Sequence, residues 1–184
     1  MPVWLIVVLA VVGVIVLWLI SGYNTLVRLR NRVRDQWAQI DVQLKRRFDL
    51  IPNLVETVKG YAKHESETLE NVVKARNTYL SASTPEAQME ANGELTQAIS
   101  KLFALAEAYP DLKANTNFVK MQDDLKETED KISYARQFYN DTVLTYNNKV
   151  EVIPTNIIAG LFGFKKEAFF EAQGAERENV QVKF

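Results

Sequence analysis

From Val3 to Ile20 the chain is apolar without a break except at Gly13; beyond it, apolar residues return at alternating steps of three and four. These are two different helix signals. The first run, about 18 to 20 residues at 1.5 Å rise, covers roughly 30 Å, the hydrocarbon thickness of a bilayer, and predicts a transmembrane helix. The later period of 3.6 predicts amphipathic helices that bury one stripe each, with no sustained step of two that would mark a strand.

Leu26, Leu29, Val33, Trp37, Ile40 and Leu44 make the first stripe, on a helix continuing from the membrane. Pro52 has no N–H to donate and disfavours helical geometry at Ile51, so this helix is expected to end there. A second stripe runs through Ile51, Leu54 or Val55, Val58, Tyr61, Glu65, Leu69, Val72, Arg76 and Tyr79, with Asn53 and Glu56 placed to start it. Ser81-Ala82-Ser83-Thr84-Pro85-Glu86 then offers a hydroxyl cap, a proline preset for the first helical position and an acid suited to the positive end of the dipole. The third helix buries Leu95, Ala98 or Ile99, Leu102, Leu105 and Tyr109, and Pro110 stops it. Residues 115–117 open a longer fourth helix carrying Phe118, Met121, Leu125, Thr128, Ile132, Ala135, Tyr139, Thr142 and Tyr146, ended at the latest by Pro154.

The expected fold class is therefore all-α: an N-terminal transmembrane helix continuing into an antiparallel up-and-down four-helix bundle, the arrangement that buries four stripes with short connections. The expected division is a transmembrane anchor at 1–22, the bundle at 23–152, and a membrane-proximal segment and C-terminal tail at 153–184.

Charge sets the orientation. Arg28, Arg30, Arg32 and Arg34 follow the span, and basic residues beside a span accumulate on the cytoplasmic side. The expectation is a single-pass membrane protein, its N-terminus outside and its body in the cytoplasm. A cleaved signal peptide would want basic residues before a shorter apolar core and a small-residue cleavage site after it, and this run has neither. Trp4 near one end, and Trp18 and Tyr23 near the other, sit where amphipathic rings prefer the headgroup levels. Charged residues make up 24% of the chain with a formal net charge of −1, which argues against nucleic acid as a partner.

If each helix of the bundle reverses direction, the chain after the fourth arrives back at the bilayer. There Phe162, Phe164 and Phe169 lie beside Lys165 and Lys166 in a stretch too short and glycine-interrupted to span. Those residues suit either an interfacial membrane segment or a cap on the open end of the bundle. The polar run 173–178 reads as a loosely ordered tail.

Catalytic chemistry finds little support. One histidine, His64, and no cysteine remove most nucleophile and base pairings and the usual zinc sites. His64-Glu65 starts like a zinc protease helix, but Thr68 stands where the second histidine belongs. Glu65, Glu70, Glu94 and Glu129 lack the Glu-x-x-His repeats of a di-iron bundle, and the glycines form no phosphate cradle. The reading is a non-enzyme without cofactor or metal. Charged residues on or beside the stripes, Arg47, Asp49, Glu56, Glu65, Arg76, Glu129 and Arg136, are expected to form a buried polar network, because a charge taken from water is costly unless paired. The pairs expected are Arg76 or Arg136 with Glu65 or Glu129.

The residues themselves carry a resemblance. Tyr23-Asn24-Thr25-Leu26-Val27, Gln39 to Arg47 running into Asp49-Leu50-Ile51-Pro52-Asn53-Leu54-Val55, Gly60-Tyr61-Ala62, Tyr109 to Asn115, Tyr134-Ala135-Arg136, Tyr139-Asn140 and Gly163-Phe164-Lys165 with Phe169-Phe170-Glu171 together resemble the LemA family over nearly the whole chain. The resemblance implies a bacterial, membrane-anchored helical bundle. Val42, Phe48, Val73, Leu80, Phe103, Val119, Phe138, Leu144 and Val150 fall off the stripes and need cover from elsewhere. They favour a scaffold that self-associates into a homo-oligomer at the membrane. The alternative is an adaptor or sensor that binds another membrane protein, such as a protease or signalling component, through the same surfaces.

Overall fold

A computed structural model describes residues 2–170. Its order is α1 (Val3–Tyr61), α2 (Ser66–Ser81), α3 (Pro85–Ala106), α4 (Pro110–Lys113), α5 (Thr116–Glu151) and α6 (Thr155–Phe162). The fold is all-α, with no strand among the described residues.

The largest departure from expectation is at Pro52, which lies inside α1 instead of ending it. A proline in a helix interior deprives the carbonyl four residues earlier of its donor. That carbonyl belongs to Phe48, and Arg76 of α2 donates its Nε–H to it at 3.3 Å. The interruption is thus answered from a neighbouring helix, and α1 continues to Tyr61. The turn falls at 62–65, where the Glu65 N–H donates to the Ala62 carbonyl at 3.1 Å, so α2 is only 16 residues long.

The other boundaries follow local chemistry. Thr84 caps α3 by accepting from the Ala87 N–H at 3.2 Å, with Pro85 at the first position. The α3 helix ends at Ala106, and Pro110, expected only as a stop, instead opens the single turn α4. The Asn115 side chain accepts from the N–H groups of Asn117 and Phe118, both at 3.0 Å, and starts the 36-residue α5. Gly163, at φ 70°, ends α6 in the left-handed conformation that glycine adopts without a Cβ clash.

The chain divides into two compact units. One comprises the described part of Met1–Ala38 with Gln137–Phe169. Beyond the apolar run, its core is Leu26, Val33, Tyr139, Val143, Tyr146, Ile158, Ala159 and Phe164. Trp37 meets Tyr139 edge-on at 5.7 Å. The run at the start of α1 is the one helical stretch among the described residues long and apolar enough to cross a membrane, and none of it is buried in the protein.

The other unit comprises Gln39–Arg136 and Phe170. Its core takes Ile40, Leu44, Phe48, Ile51, Leu54 and Val58 from α1, Leu69, Val72, Ala75 and Tyr79 from α2, Leu95, Ile99 and Leu102 from α3, and Phe118, Leu125 and Ile132 from α5. Apart from Phe48 and Ala75, these are the positions the three-and-four pattern marks. Phe48, expected to lack cover, is instead 2% exposed and stacks on Tyr79 at 3.8 Å. Full burial of such a ring stabilises by about 2 to 3 kcal/mol. Phe103 likewise finds Phe118 at 6.1 Å.

Candidate functional site

Two groups of residues stand out, one in each unit. In the first, Gly22 and Tyr23 follow closely on the end of the apolar run and receive α6. A Cβ at Gly22 would meet Cδ1 at the far end of the Ile158 side chain, so Ile158 of α6 packs directly over the glycine. Tyr23 packs against Phe162 at 4.8 Å and meets Phe164 edge-on at 5.7 Å. The Arg30 guanidinium lies over the Phe164 ring, 5.1 Å from its centre, a distance at which the ring face attracts a cation.

After Gly163 the backbone is held by α5. The Tyr146 hydroxyl donates to the Lys165 carbonyl at 2.9 Å and the Tyr139 hydroxyl to the Ala168 carbonyl at 2.9 Å. Between them the Asn147 amide makes both bonds to Glu167, donating to its carbonyl at 2.9 Å and accepting from its N–H at 3.0 Å. Tyr139 and Tyr146 lie seven residues apart, on one face of the helix. Burial, with Glu167 close by, holds the Tyr146 hydroxyl above its ordinary pKa, which preserves it as a donor.

The residues marked as membrane-facing do not share one fate. Trp4, Trp18, Tyr23, Phe162, Phe169, Lys165 and Lys166 are exposed, and Lys166 pairs with Glu151. Phe164 is buried between Tyr23 and Arg30. In the stretch read as an interfacial segment, Ile157 and Leu161 lie four residues apart on α6 and are 55% and 70% exposed, and Ile153, in the turn before the helix, is 76% exposed.

In the second unit the centre is Arg47, only 3% exposed. One terminal nitrogen donates to Asn92 Oδ1 and Thr96 Oγ1, both at 3.1 Å, and stands 2.5 Å from Glu129 Oε2. Residues of α1, α3 and α5 are thereby tied at one point. Burial pulls the guanidinium below its ordinary pKa, and the Glu129 carboxylate opposes that shift. The expected pairs of Arg76 or Arg136 with Glu65 or Glu129 give way to other partners. Glu129 is taken by Arg47, Glu65 accepts from the Tyr109 hydroxyl at 3.1 Å, and Arg76 serves the Phe48 carbonyl. Arg136 lies over the ring of Phe170 at 4.5 Å. Asp49 is exposed.

Between the end of α1 and α2 runs an open groove of about 850 Å³. Val55, Leu69 and Val73 supply its apolar part, and Glu56, Lys59, Lys63, Glu70 and Lys74 its charged edges. Among the described residues no three histidine, aspartate or glutamate side chains gather as metal ligands.

Comparison with known proteins identifies the lineage. The family model described as "LemA family" matches residues 36–184, and the chain belongs to that family. It is 25% identical over 202 residues to magnetosome protein MamQ 2 of Paramagnetospirillum magneticum, covering 95% of this chain and 74% of the relative. It is 24% identical over 172 residues to protein LemA of Metamycoplasma hominis, covering 93% and 78%. Magnetosome protein MamQ of Magnetospirillum gryphiswaldense is 24% identical over 183 residues, covering 85% and 67%. With its long apolar N-terminal helix, the chain is a membrane-associated helical protein.

Proposed function

We propose that this LemA-family chain is a non-enzymatic scaffold, anchored by a single span in the bacterial cell membrane with its N-terminus outside, that self-associates through its cytoplasmic body. The observation that carries the reading is the apolar surface left open once each unit has filled its core. Val42, Val73, Leu80 and Tyr134 are exposed in one unit, and Phe138 and Leu144 in the other. Val73 and Leu80 lie seven residues apart, and so on one face of α2. Exposed apolar patches of this kind mark interaction surfaces.

The test is the mass of the purified full-length protein in mild detergent, by native mass spectrometry or light scattering. A large homogeneous assembly is expected, and Val73→Lys with Leu80→Lys should dissociate it without loss of helix content. A monomer in both forms refutes self-association. Protease added to intact spheroplasts should leave the body uncut, and its digestion there would reverse the orientation.

The groove beside α2 favours a second reading, an adaptor whose apolar channel and charged edges receive an amphipathic helix of another membrane protein. A chain that stays monomeric in lipid, and whose Val73→Cys variant crosslinks in cells to one different protein, would favour this reading over the scaffold.

A further inference from the structure

We infer that Ile153, Ile157 and Leu161, with Phe162, form a second membrane contact, an interfacial foot resting at the boundary of headgroups and acyl chains beside the base of the span. The inference does not depend on self-association. It starts from a level. The apolar run ends at Ile20, and Gly22 and Tyr23 stand just beyond, where the hydrocarbon gives way to headgroups. Ile158 sits on Gly22 and Phe162 on Tyr23. Helix α6 is therefore held within a side chain's reach of that boundary.

The amphipathic character of α6 then decides what it meets there. Ile158 and Ala159 are buried against the protein, whereas Ile157 and Leu161, four residues apart, share an exposed aliphatic face of α6, with Ile153 exposed in the turn before it and Phe162 57% exposed at its end. A short helix with one face on the protein and an aliphatic face open, at headgroup level, matches the interfacial mode in which apolar side chains enter about 5–10 Å. The adjoining charges are of the matching sign: Lys165 is exposed, and so are Arg28 and Arg32 on the same unit, which suits anionic headgroups. The four side-chain bonds from α5 to residues 165–168 keep the segment after α6 on the protein. Lipid thus receives this face and not the whole terminal segment. Phe164, filled in behind by Arg30, takes no part.

The full-length chain tests this directly, because it contains no cysteine. Nitroxide labels are placed singly at Ile157→Cys and Leu161→Cys, and at Lys149→Cys on the exposed side of α5 as a control. The protein is reconstituted into phosphatidylethanolamine–phosphatidylglycerol vesicles. Relaxation at 157 and 161 should be enhanced by oxygen and hardly by a water-soluble nickel chelate, giving an oxygen-to-nickel ratio several-fold above that at 149. Ile153→Cys, exposed in the turn before the helix, supplies a third reading that leaves α6 intact. Nickel access at 157 and 161 equal to that at 149 would place the face in water and overturn the proposal. So would exclusion of both reagents, or spin–spin broadening between copies, either of which would make the face a protein contact.

Discussion

If Arg76 compensates for Pro52, then removing the proline should make the arginine dispensable. The Phe48 carbonyl lies in a core position with its residue 2% exposed, so water is a poor substitute for the lost helical donor. Arg76→Met keeps the aliphatic length and removes the 3.3 Å bond to that carbonyl. Leaving a buried acceptor unmet costs about 1–3 kcal/mol, and the length of this bond together with the partial exposure of Arg76 points to the lower half, about 1–2 kcal/mol. In a Pro52→Ala background residue 52 regains its N–H and can donate to Phe48 itself. There Arg76→Met should cost under about 0.5 kcal/mol, the ordinary effect of a surface change. The coupling is then about 1 kcal/mol, within the range of residues sharing one hydrogen-bond network. Urea unfolding of the four full-length proteins in micelles, followed by circular dichroism, reads it out: with slopes of about 1–3 kcal/mol/M, Arg76→Met alone should lower the midpoint by roughly 0.5–1 M. An equal loss in both backgrounds would refute the compensation and leave the tolerance of Pro52 to packing alone.

Three further outcomes follow from the geometry. Glu129→Ala leaves Arg47 buried without its carboxylate, and should destabilise by about 3 kcal/mol, the lower end for a broken buried pair because Glu129 is partly solvated; a change under about 0.5 kcal/mol in the same urea assay would show the pair to be incidental. Thr84→Ala removes the side-chain cap of α3 and should cost about 1 kcal/mol, seen first as faster amide exchange at Ala87. Burial first, and then Asp41, raise the Tyr79 hydroxyl above its ordinary 10.0; a raised folded pKa means stability that is whole below pH 10.0 and drains away as pH rises through the folded value. Tyr79→Phe should therefore be less stable at neutral pH by about 1 kcal/mol yet lose less between neutral and strongly alkaline pH, the residual slope coming from Tyr109 and Tyr146, which are raised as well. An unchanged alkaline slope in thermal melts would contradict that reading.

What the sequence revealed depended on whether a cause was local. The stripes of α1, α3 and α5 were legible because burial of Leu44, Leu102 or Ile132 repeats with the helix itself. The cap at Thr84 and the start of α5 near Asn115 were legible because each is satisfied within three residues. Pro52 was misread for the complementary reason. Its cost is local, but its remedy lies on α2, and nothing around residue 52 announces Arg76. Arg47 was singled out as a charge on an apolar face, but its partners, 45 and 49 residues away in α3 and across to Glu129 in α5, follow only from packing.

The terminal segment shows a further kind of information that side-chain patterns do not carry. Four bonds that hold 165–168 run from side chains of α5 to backbone atoms, so for these the identity of the residue being held is immaterial; Lys166 adds an ion pair of its own side chain with Glu151. An amphipathic pattern arises only where side chains themselves must choose between water and core, and a backbone held from α5 makes no such demand. The informative positions are on the other partner: Tyr139 and Tyr146 read as ordinary members of an apolar stripe, yet each keeps its ring in the core and extends its hydroxyl to a carbonyl. Asn147, 6% exposed beside them, is the sign that was available, because a buried amide needs partners and a non-helical backbone supplies both a donor and an acceptor. Freed from structural duty, the side chain of Lys165 projects from the surface while Phe164 turns inward, so that the charge and the ring, adjacent in sequence, serve opposite sides of the same segment.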